Sequence, residues 1–422
     1  MIIKTLGATR EVGRSAFLLQ SNGKNIVLDY GVLLRKDPVF PLHIAPKDVD
    51  GVILSHAHLD HSGAVPLFSV SSETKTYCTK PTLEIADLLL RDFVKISQVT
   101  KNQYIPFEYD EITKLKKNAS TFDLNQKFNI DDIEVTFLNA GHIPGSASIL
   151  IELEGKRIVY TGDINSTDMN LIEPADIDYG EIDLLITEST YGNVNHIERS
   201  KIEEDFIEFA NHIVENGGNL LVPAFSIGRS QEILCVLEKY NFSYPIIMDG
   251  MALKMNRILM DNPDYLKDAK LFIKSVGNAT LADSMEKRKK ALQEPSVIIA
   301  PAGMLVGGSA QYYYKRLALD PKNGISIVSY QIPGTPGRRL LDQGKMFLDG
   351  KIVNVRAQIK KFDFSSHSGN KELMDMFKKI KGDPLIIPIH GEEKQSLDLA
   401  DEIQSTLNNK VIVPNLGEEI EI

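Results

Sequence analysis

Three histidines and one aspartate fall within six residues of this chain, in the run His56-Ala57-His58-Leu59-Asp60-His61. The 422 residues contain only nine histidines, so this density far exceeds the average. The apolar run that comes directly before the cluster is typical of a buried strand. Imidazole and carboxylate groups together are the ligands that Zn²⁺ and similar divalent ions take in proteins. We therefore predict a metal site at the end of this strand; the alternative is a histidine-rich surface turn.

Other apolar runs of the sequence also end in a residue that could bind a metal. The candidate ligands at these ends are His142, Asp163 and His390. Taken singly, each is more often a structural or solvated side chain than a ligand. Together with the histidine cluster, they predict that several strand ends meet at one site.

The elements that must position these side chains divide the chain into two parts. Apolar runs in the first part predict strands at residues 2–6, 15–20, 25–29, 51–54, 133–138, 148–153, 157–160 and 183–187. Residues 81–97 have apolar side chains at helical spacing, and Asn22-Gly23 predicts a type I′ hairpin turn. Between about residues 192 and 350 helical and strand patterns alternate, which predicts parallel βαβ units. We expect an α/β (α+β) protein, with a first domain of residues 1–191 and 351–422 split by an inserted domain of residues 192–350.

The order of the motifs resembles the metallo-β-lactamase superfamily of dinuclear hydrolases. The motifs are HAHLDH at residues 56–61, GH at 141–142, TGD at 161–163 and PIHGE at 388–392. Residues 183–191 (DLLITESTY) resemble motif A of the β-CASP branch, residues 364–369 (FSSHSG) resemble its motif B, and His390 stands at motif C. A histidine at motif C is typical of the RNA-processing members. The chain resembles the archaeal cleavage and polyadenylation specificity factor-like ribonucleases, in a short form without N-terminal KH domains.

This resemblance implies a metallo-β-lactamase αββα sandwich with an inserted β-CASP domain, and two Zn²⁺ ions per chain. In the implied arrangement one ion is held by His56, His58 and His142, the other by Asp60, His61 and His390, and Asp163 bridges both.

The resemblance also implies the residues that act on the substrate. Asp60 has a catalytic role besides its role as a ligand. We expect His367 to be the general acid that protonates the leaving oxygen, with Glu188 orienting its imidazole and keeping it charged. The alternative is that Glu188 and His367 only orient the metal ligands.

The implied function is zinc-dependent hydrolysis of phosphodiester bonds in single-stranded RNA, by internal cleavage, 5′–3′ trimming or both, in RNA processing or decay. A thioesterase or lactamase of the superfamily would share the metal ligands but lack the inserted domain and the motif around His367. A non-catalytic RNA-binding subunit of a processing complex would have lost ligands, whereas every ligand position is filled here.

The net charge of −10 does not exclude RNA, because a local positive groove can attract phosphate on an acidic protein. Residues 222–229 join a strand to a helix whose first N–H groups would suit an anion, and residues 334–339 form a loop with two glycines and two arginines. Either segment is equally consistent with an ordinary turn. Ala302 replaces a serine that relatives usually carry, which argues against phosphate contact there. The candidate phosphate contacts are Arg229, Ser366, Arg338 and Arg339.

The sequence contains no apolar run of about 18 residues, which argues against a membrane span. Its N-terminus lacks the pattern of a signal peptide, and Cys78 and Cys235 form no CxxC pair, which suits a reducing compartment. We expect a cytoplasmic protein with single-stranded RNA as its partner. The resemblance leaves open a homodimer or association with other RNA-processing proteins.

Overall fold

The computed structural model of the chain describes every residue except 36, 101–103, 333 and 349, and leaves out the side chain of residue 100. The chain forms two compact units. Unit 1 comprises Met1–Thr167, Pro174–Asn195 and His367–Ile422, and unit 2 comprises Asp168–Glu173 and His196–Ser366.

The strands, numbered in chain order, are β1 Ile2–Thr5, β2 Ala16–Ser21, β3 Lys24–Tyr30, β4 Gly51–Ile53, β5 Lys75–Cys78, β6 Ala119–Thr121, β7 Lys127–Ile130, β8 Ile133–Asn139, β9 Ala147–Leu153, β10 Lys156–Tyr160, β11 Leu184–Glu188, β12 Leu220–Pro223, β13 Ile246–Asp249, β14 Thr280–Ala282, β15 Val297–Ala300, β16 Gly324–Ile327, β17 Lys345–Leu348, β18 Lys351–Asn354, β19 Gln358–Lys361, β20 Leu385–Ile389 and β21 Glu419–Glu421. The helices are α1 Leu59–Ser62, α2 Lys80–Thr100, α3 Tyr109–Asn118, α4 Arg199–Glu215, α5 Arg229–Lys239, α6 Ala252–Met260, α7 Ala269–Asn278, α8 Met285–Lys290, α9 Gly308–Leu317, α10 Pro336–Gln343, α11 Asn370–Lys379 and α12 Glu393–Leu407. Short 3₁₀ helices lie at Pro46–Asp48, Val65–Ser69 and Pro263–Tyr265.

Unit 1 is built on two sheets that pack face to face. One sheet has the strand order β21-β1-β2-β3-β4-β5-β6, and the other has the order β20-β11-β10-β9-β8-β7. Side chains alternate between the two faces of a strand, so Phe17 and Leu19 of β2 and Ile149 and Ile151 of β9 all enter one apolar cluster shared by both sheets. Burial of this cluster is the main force that holds the two layers together.

Helices cover the outer faces of this sandwich. Leu373 of α11 and Ile403 of α12 pack with Val159 and Leu185, which lie on the opposite face of the second sheet from the shared interior. Helix α3 packs against β5 of the first sheet. The αββα sandwich predicted for this part of the chain is confirmed.

The predicted strands of unit 1 agree with the observed ones to within one residue at each end. The hairpin turn is confirmed as well, because Asn22 and Gly23 both have positive φ angles, 48° and 75°, as a type I′ turn requires. Strands β5, β6 and β7 have no predicted counterpart. Their sequences, KTYC, AST and KFNI, contain no run of three apolar residues such as the one at Val52-Ile53-Leu54, so no strand was predicted there.

Unit 2 contains a sheet of order β14-β13-β15-β12-β16-β19 in which every neighbouring pair is parallel. The inserted region of parallel βαβ units is therefore confirmed. Strands β12 and β15 are buried along their whole length, as expected for a sheet that is covered on both faces.

Residues 351–366 belong to unit 2, whereas the sequence placed them in the first domain. This segment contains two strands: β18 pairs with β17 in a separate hairpin, and β19 extends the parallel sheet beside β16. Phe362 and Phe364 then pack into the apolar cluster of unit 2. Strand character alone does not identify the sheet that a segment joins, because pairing depends on partners far away in the sequence.

Residues 334–339 were expected to form a loop, but most of them begin helix α10. Thr335 caps this helix by accepting a hydrogen bond from the backbone N–H of Arg338 at 3.3 Å. Pro336 occupies the first helical position, where its missing N–H has no cost. Arg338 and Arg339 therefore project from a helix.

Among the helices of the described residues, none combines the length and the apolar character that crossing a membrane requires.

Candidate metal centre

The sheet topology of unit 1 brings the predicted ligands to one edge. Strands β10, β11 and β20 are parallel neighbours, and β8 runs in the same direction because both β8 and β10 are antiparallel to β9. Their carboxyl ends therefore lie side by side. The residues at or just beyond these ends are His142, Asp163, Glu188 and His390.

The histidine cluster is supplied by the other sheet. Residues 56–61 leave the end of β4 and turn into the short helix α1, which contains Asp60 and His61. Gly31 lies against this turn so closely that an added Cβ atom would stand 1.7 Å from the carbonyl oxygen of Asp60. Glycine at position 31 therefore allows the chain after β3 to pack directly against the turn that contains Asp60.

The seven predicted ligands form two adjoining groups. Within each group the possible ligand atoms all lie within 4.8 Å of one another. The first group contains His56, His58, His142 and Asp163, and the second contains Asp60, His61 and His390.

Asp163 touches both groups through different oxygen atoms. Its Oδ2 lies 3.6 Å from Nε2 of His56 and 3.5 Å from Nε2 of His142. Its Oδ1 lies 3.2 Å from Nε2 of His61 and 3.2 Å from Nδ1 of His390. A carboxylate placed in this way has the geometry needed to contact an ion in each group.

The chemistry of this donor set fits divalent cations. Nε2 of His56 and Nε2 of His390 are buried and make no hydrogen bond within the described part of the chain, although buried polar atoms normally have a partner. Burial, assisted by the neighbouring His61, holds the pKa of His56 well below its ordinary value. Burial likewise lowers the pKa of His58. Both imidazoles are therefore neutral near pH 7, which is the form that binds a metal.

His61 differs because it lies between two carboxylates. Burial opposes its charged form, but Asp163 and Asp29 outweigh burial and raise the pKa of His61 well above its ordinary value. Nδ1 of His61 is 2.7 Å from Oδ2 of Asp29. A carboxylate in contact with the second nitrogen of a histidine fixes the ring orientation and increases its basicity as a ligand.

Asp29 contacts the candidate ligand His61 and was not among the residues predicted from the sequence. It is fully buried, and it accepts hydrogen bonds from the hydroxyl of Tyr160 at 2.6 Å and from the N–H and hydroxyl of Ser55 at 2.7 and 2.6 Å. Ser55 in turn is 3.1 Å from Nδ1 of His56. A signal was present in the sequence, because Asp29 ends a predicted strand just as the other candidate ligands do.

Replacing Asp29 with alanine should weaken metal binding by about 10- to 100-fold, because His61 loses the group that orients it. The variant should also be less stable, since buried donors of Ser55 and Tyr160 would be left without a partner. Competition with a chelator measures the first effect and urea unfolding the second. Asp29→Asn retains one acceptor oxygen for these donors and should be milder on both counts. Wild-type metal affinity in Asp29→Ala would contradict the orienting role.

Glu188 and His367 form a pair beside the two ligand groups. Nδ1 of His367 is 2.9 Å from Oε2 and 3.0 Å from Oε1 of Glu188. The same nitrogen lies 4.0 Å from Oδ2 of Asp163. Burial opposes protonation of His367, but Glu188 and Asp163 outweigh burial and raise its pKa to about 9. His367 is therefore charged at neutral pH and stands next to the candidate ligands.

The backbone at His390 is held in an uncommon conformation. His390 has a φ of 49°, in the left-handed region that only a few non-glycine residues adopt. Its N–H donates to the carbonyl of Ala8 at 2.8 Å, and its own carbonyl accepts from the hydroxyl of Thr190 at 3.0 Å. The next residue, Gly391, lies so close to Ser189 that a Cβ atom would clash at 2.4–2.8 Å. These contacts turn the chain so that the His390 ring faces Asp163.

The candidate phosphate contacts all lie in unit 2. Arg229 donates to the hydroxyl of Ser366 at 3.4 Å. Arg338 is paired with Asp342 at 2.8 Å, whereas Arg339 lines a separate pocket. The expected anion site at the start of α5 is less open than predicted, because the first backbone N–H groups of the helix already donate to carbonyls of residues 225 and 227.

Three family profiles match the chain. Residues 9–204 match the metallo-beta-lactamase superfamily, residues 230–340 match the Beta-Casp domain, and residues 352–414 match the Zn-dependent metallo-hydrolase RNA specificity domain.

Curated relatives extend over almost the whole chain. RNase aCSPSF2 of Saccharolobus solfataricus is 41% identical over 100% of this chain and 85% of its own length. Probable RNase MJ4 of Methanocaldococcus jannaschii is 37% identical over 99% of each chain. Transcription termination factor FttA of the same organism is 34% identical over 98% of this chain and 70% of its own length.

A solved structure is similar in fold. The crystal structure of a protein of unknown function from Enterococcus faecalis gives a TM-score of 0.61 at 15% identity and covers 99% of both chains. Profiles and relatives agree with the motif order: the chain belongs to the β-CASP branch of the metallo-β-lactamase superfamily, together with the archaeal cleavage and polyadenylation specificity factor-like proteins.

Proposed function

We propose that this chain is a zinc-dependent ribonuclease that hydrolyses phosphodiester bonds of single-stranded RNA. The observation that carries the proposal is the position of Asp163, which presents one oxygen to each of two adjoining ligand groups. The relatives named as RNases support RNA as the substrate. A non-catalytic RNA-binding role is disfavoured because the seven ligand positions are all filled.

Two Zn²⁺ ions are proposed, with Asp163 shared between them and the ligands divided as in the two groups described above. Divalent ions held there would lower the pKa of a water molecule and stabilise the charge that develops on the phosphate. The carboxylate of Asp60 lies 3.4 Å from Nε2 of His390. It would help to hold the second ion where that ion can act on the phosphate of the substrate. His367 would donate a proton to the leaving oxygen, and Glu188 would keep the imidazole charged and oriented.

The ion pair of His367 with Glu188 fits a proton donor. A general acid must be protonated at the working pH and must lie near the reacting atoms. Burial alone would lower the pKa of His367, but Glu188 and Asp163 together raise it to about 9. Glu188 itself is fixed, because it is fully buried and accepts the N–H of Ile164 at 2.6 Å.

Single-stranded RNA should be cleaved in preference to a thioester or a β-lactam, and its binding should weaken as salt rises. If about three phosphates are neutralised, the logarithm of the binding constant should fall with the logarithm of salt concentration at a slope of about −2. Fluorescence anisotropy with a labelled oligoribonucleotide measures the slope. Parallel assays with the two other substrates provide the control. Rapid hydrolysis of either of them, with RNA left intact, would contradict a ribonuclease.

The mode of cleavage follows from the products. RNA labelled at the 5′ end yields labelled fragments of several lengths from an endonuclease, whereas a 5′–3′ exonuclease releases the label as a mononucleotide. We propose that the protein acts in cytoplasmic RNA processing or decay, which is compatible with two buried cysteines that are both free. Homodimerisation or association with other RNA-processing proteins is part of the proposal and is tested by sedimentation with and without RNA.

A further inference from the structure

A pocket of about 360 Å³ lies in unit 2, lined by residues of helices α9 and α10 and of the β17–β18 hairpin. Its lining includes Gln311, Tyr314, Lys315, Arg339 and Phe347. This volume lies within the range of about 300–1,000 Å³ that small-molecule sites occupy. The proposed phosphodiesterase chemistry of unit 1 assigns no role to this pocket.

The charge of the lining favours an anion. Lys315 and Arg339 are basic, and none of the lining residues in the described part of the chain is acidic. Arg338, the neighbour of Arg339, has its charge balanced by Asp342 at 2.8 Å. Arg339 is half-buried and has no such ion pair with any residue that the structure describes. A guanidinium group in this situation is suited to bind a phosphate.

A buried hydroxyl is also present at the pocket. Tyr314 is only 3% exposed, and its hydroxyl has no hydrogen-bond partner among the described residues. Burial raises the pKa of Tyr314 whereas the charge of Arg339 lowers it, and both residues line the pocket. A buried hydroxyl without a partner is destabilising, and an oxygen of a bound ligand would satisfy it.

An aromatic ring stands at the edge of the same pocket. Phe347 is 59% exposed, and its cross-strand partner Ile352 is 61% exposed. Proteins that bind single-stranded nucleic acid combine exposed aromatic rings, on which bases stack, with cations that contact the phosphates. An exposed ring, two cations and a buried hydroxyl together match the base, the phosphate and the oxygen atoms of a nucleotide.

We propose that this pocket binds a nucleotide, with Arg339 and Lys315 on the phosphate, the hydroxyl of Tyr314 on a phosphate or ribose oxygen, and Phe347 against the base. The nucleotide comes either from a free mononucleotide or from an RNA strand. The second source rests on the proposed ribonuclease function. Binding of a free nucleotide does not, so the two proposals can fail independently.

The absence of tryptophan from the chain allows a specific reporter. Phe347→Trp places the only indole of the protein at the pocket and retains a ring that can stack. Titration of this full-length variant with 5′-AMP should change its fluorescence in a saturable manner, with a dissociation constant at or below about 1 mM. Inorganic phosphate should bind more weakly than AMP. Calorimetric titration of the unmodified chain with AMP repeats the measurement without the substitution.

Arg339→Ala, made in the reporter background, should weaken AMP binding by about 10- to 100-fold, which is the scale of a lost hydrogen bond to a charged group. Lys289→Ala is the control, since it removes a positive charge from an exposed residue of helix α8 in the same unit and should leave AMP binding unchanged. Three results would overturn the proposal: no saturable signal and no heat with AMP, equal binding in Arg339→Ala, or phosphate binding as tight as AMP binding.

The source of the nucleotide is distinguished by RNA kinetics. If an RNA strand occupies the pocket, Arg339→Ala should raise the KM for a long single-stranded RNA several-fold while kcat stays near that of the unmodified chain. If free mononucleotide is the ligand, KM for RNA should not change although AMP binding is lost. Either result, combined with the loss of AMP binding, supports a nucleotide site.

Discussion

Replacing Asp163 with alanine should remove both metal ions together and reduce RNA cleavage by at least about 10³-fold. Loss of a single contact to the transition state can already reduce a rate by about that factor. The reason is that one oxygen faces His56 and His142 while the other faces His61 and His390. Elemental analysis of the purified variant measures the ions, and single-turnover cleavage measures the rate. The unmodified chain should contain two ions, lose activity on chelation and regain it with Zn²⁺.

Two further variants make the Asp163 experiment specific. Asp163→Asn retains one carboxylate-like oxygen and should keep at most one weakly held ion. Asp178→Ala removes an exposed aspartate of unit 1 and should keep both ions and full activity. Circular dichroism establishes whether each variant is folded. If folded Asp163→Ala still held two ions tightly, the division of ligands around Asp163 would be wrong.

Replacing His367 with alanine should lower turnover by about 10²- to 10⁴-fold, the usual contribution of a general acid. Metal content and RNA affinity should remain near those of the unmodified chain, because His367 belongs to neither ligand group. Glu188→Gln should act in the same direction but more mildly, since it removes the charge that favours the imidazolium and leaves the imidazole in place. His43→Ala, which changes an exposed histidine of the same unit, is the control.

The pH dependence separates a proton donor from a residue that only orients ligands. Since Glu188 and Asp163 overcome burial and raise the pKa of His367 to about 9, the protonated form predominates below that pH and is lost as pH rises through it. Bound cations would lower this pKa, so the fall in rate should occur at or below pH 9. Glu188→Gln should move the fall to lower pH, and His367→Ala should lack it. An unchanged alkaline limb in His367→Ala would show that another group supplies the proton.

The sequence by itself was sufficient to predict most strands of unit 1 and the residues there that could bind a metal. The histidine cluster follows an apolar run, and His142, Asp163 and His390 each follow another, so both the strands and the candidate ligands were predicted from local patterns. The motif order predicted the family, which the profiles and relatives confirm. These features were predictable because apolar runs form buried strands wherever their partners lie, and because ligand chemistry depends on the residue type.

Only the tertiary structure decided which side chains act together. Asp29 lies more than twenty residues before the histidine cluster, and its contact with His61 exists because β3 and β4 are paired. Arg338 and Arg339 are neighbours in the sequence, yet one is paired with an aspartate and the other lines a pocket. Residues 358–361 fall in the part of the sequence assigned to the first domain but pair with β16 of the second unit. In each case the neighbours of a residue depend on sheet pairing or on the direction of a helical side chain. Both are set by contacts between residues that are distant in the sequence.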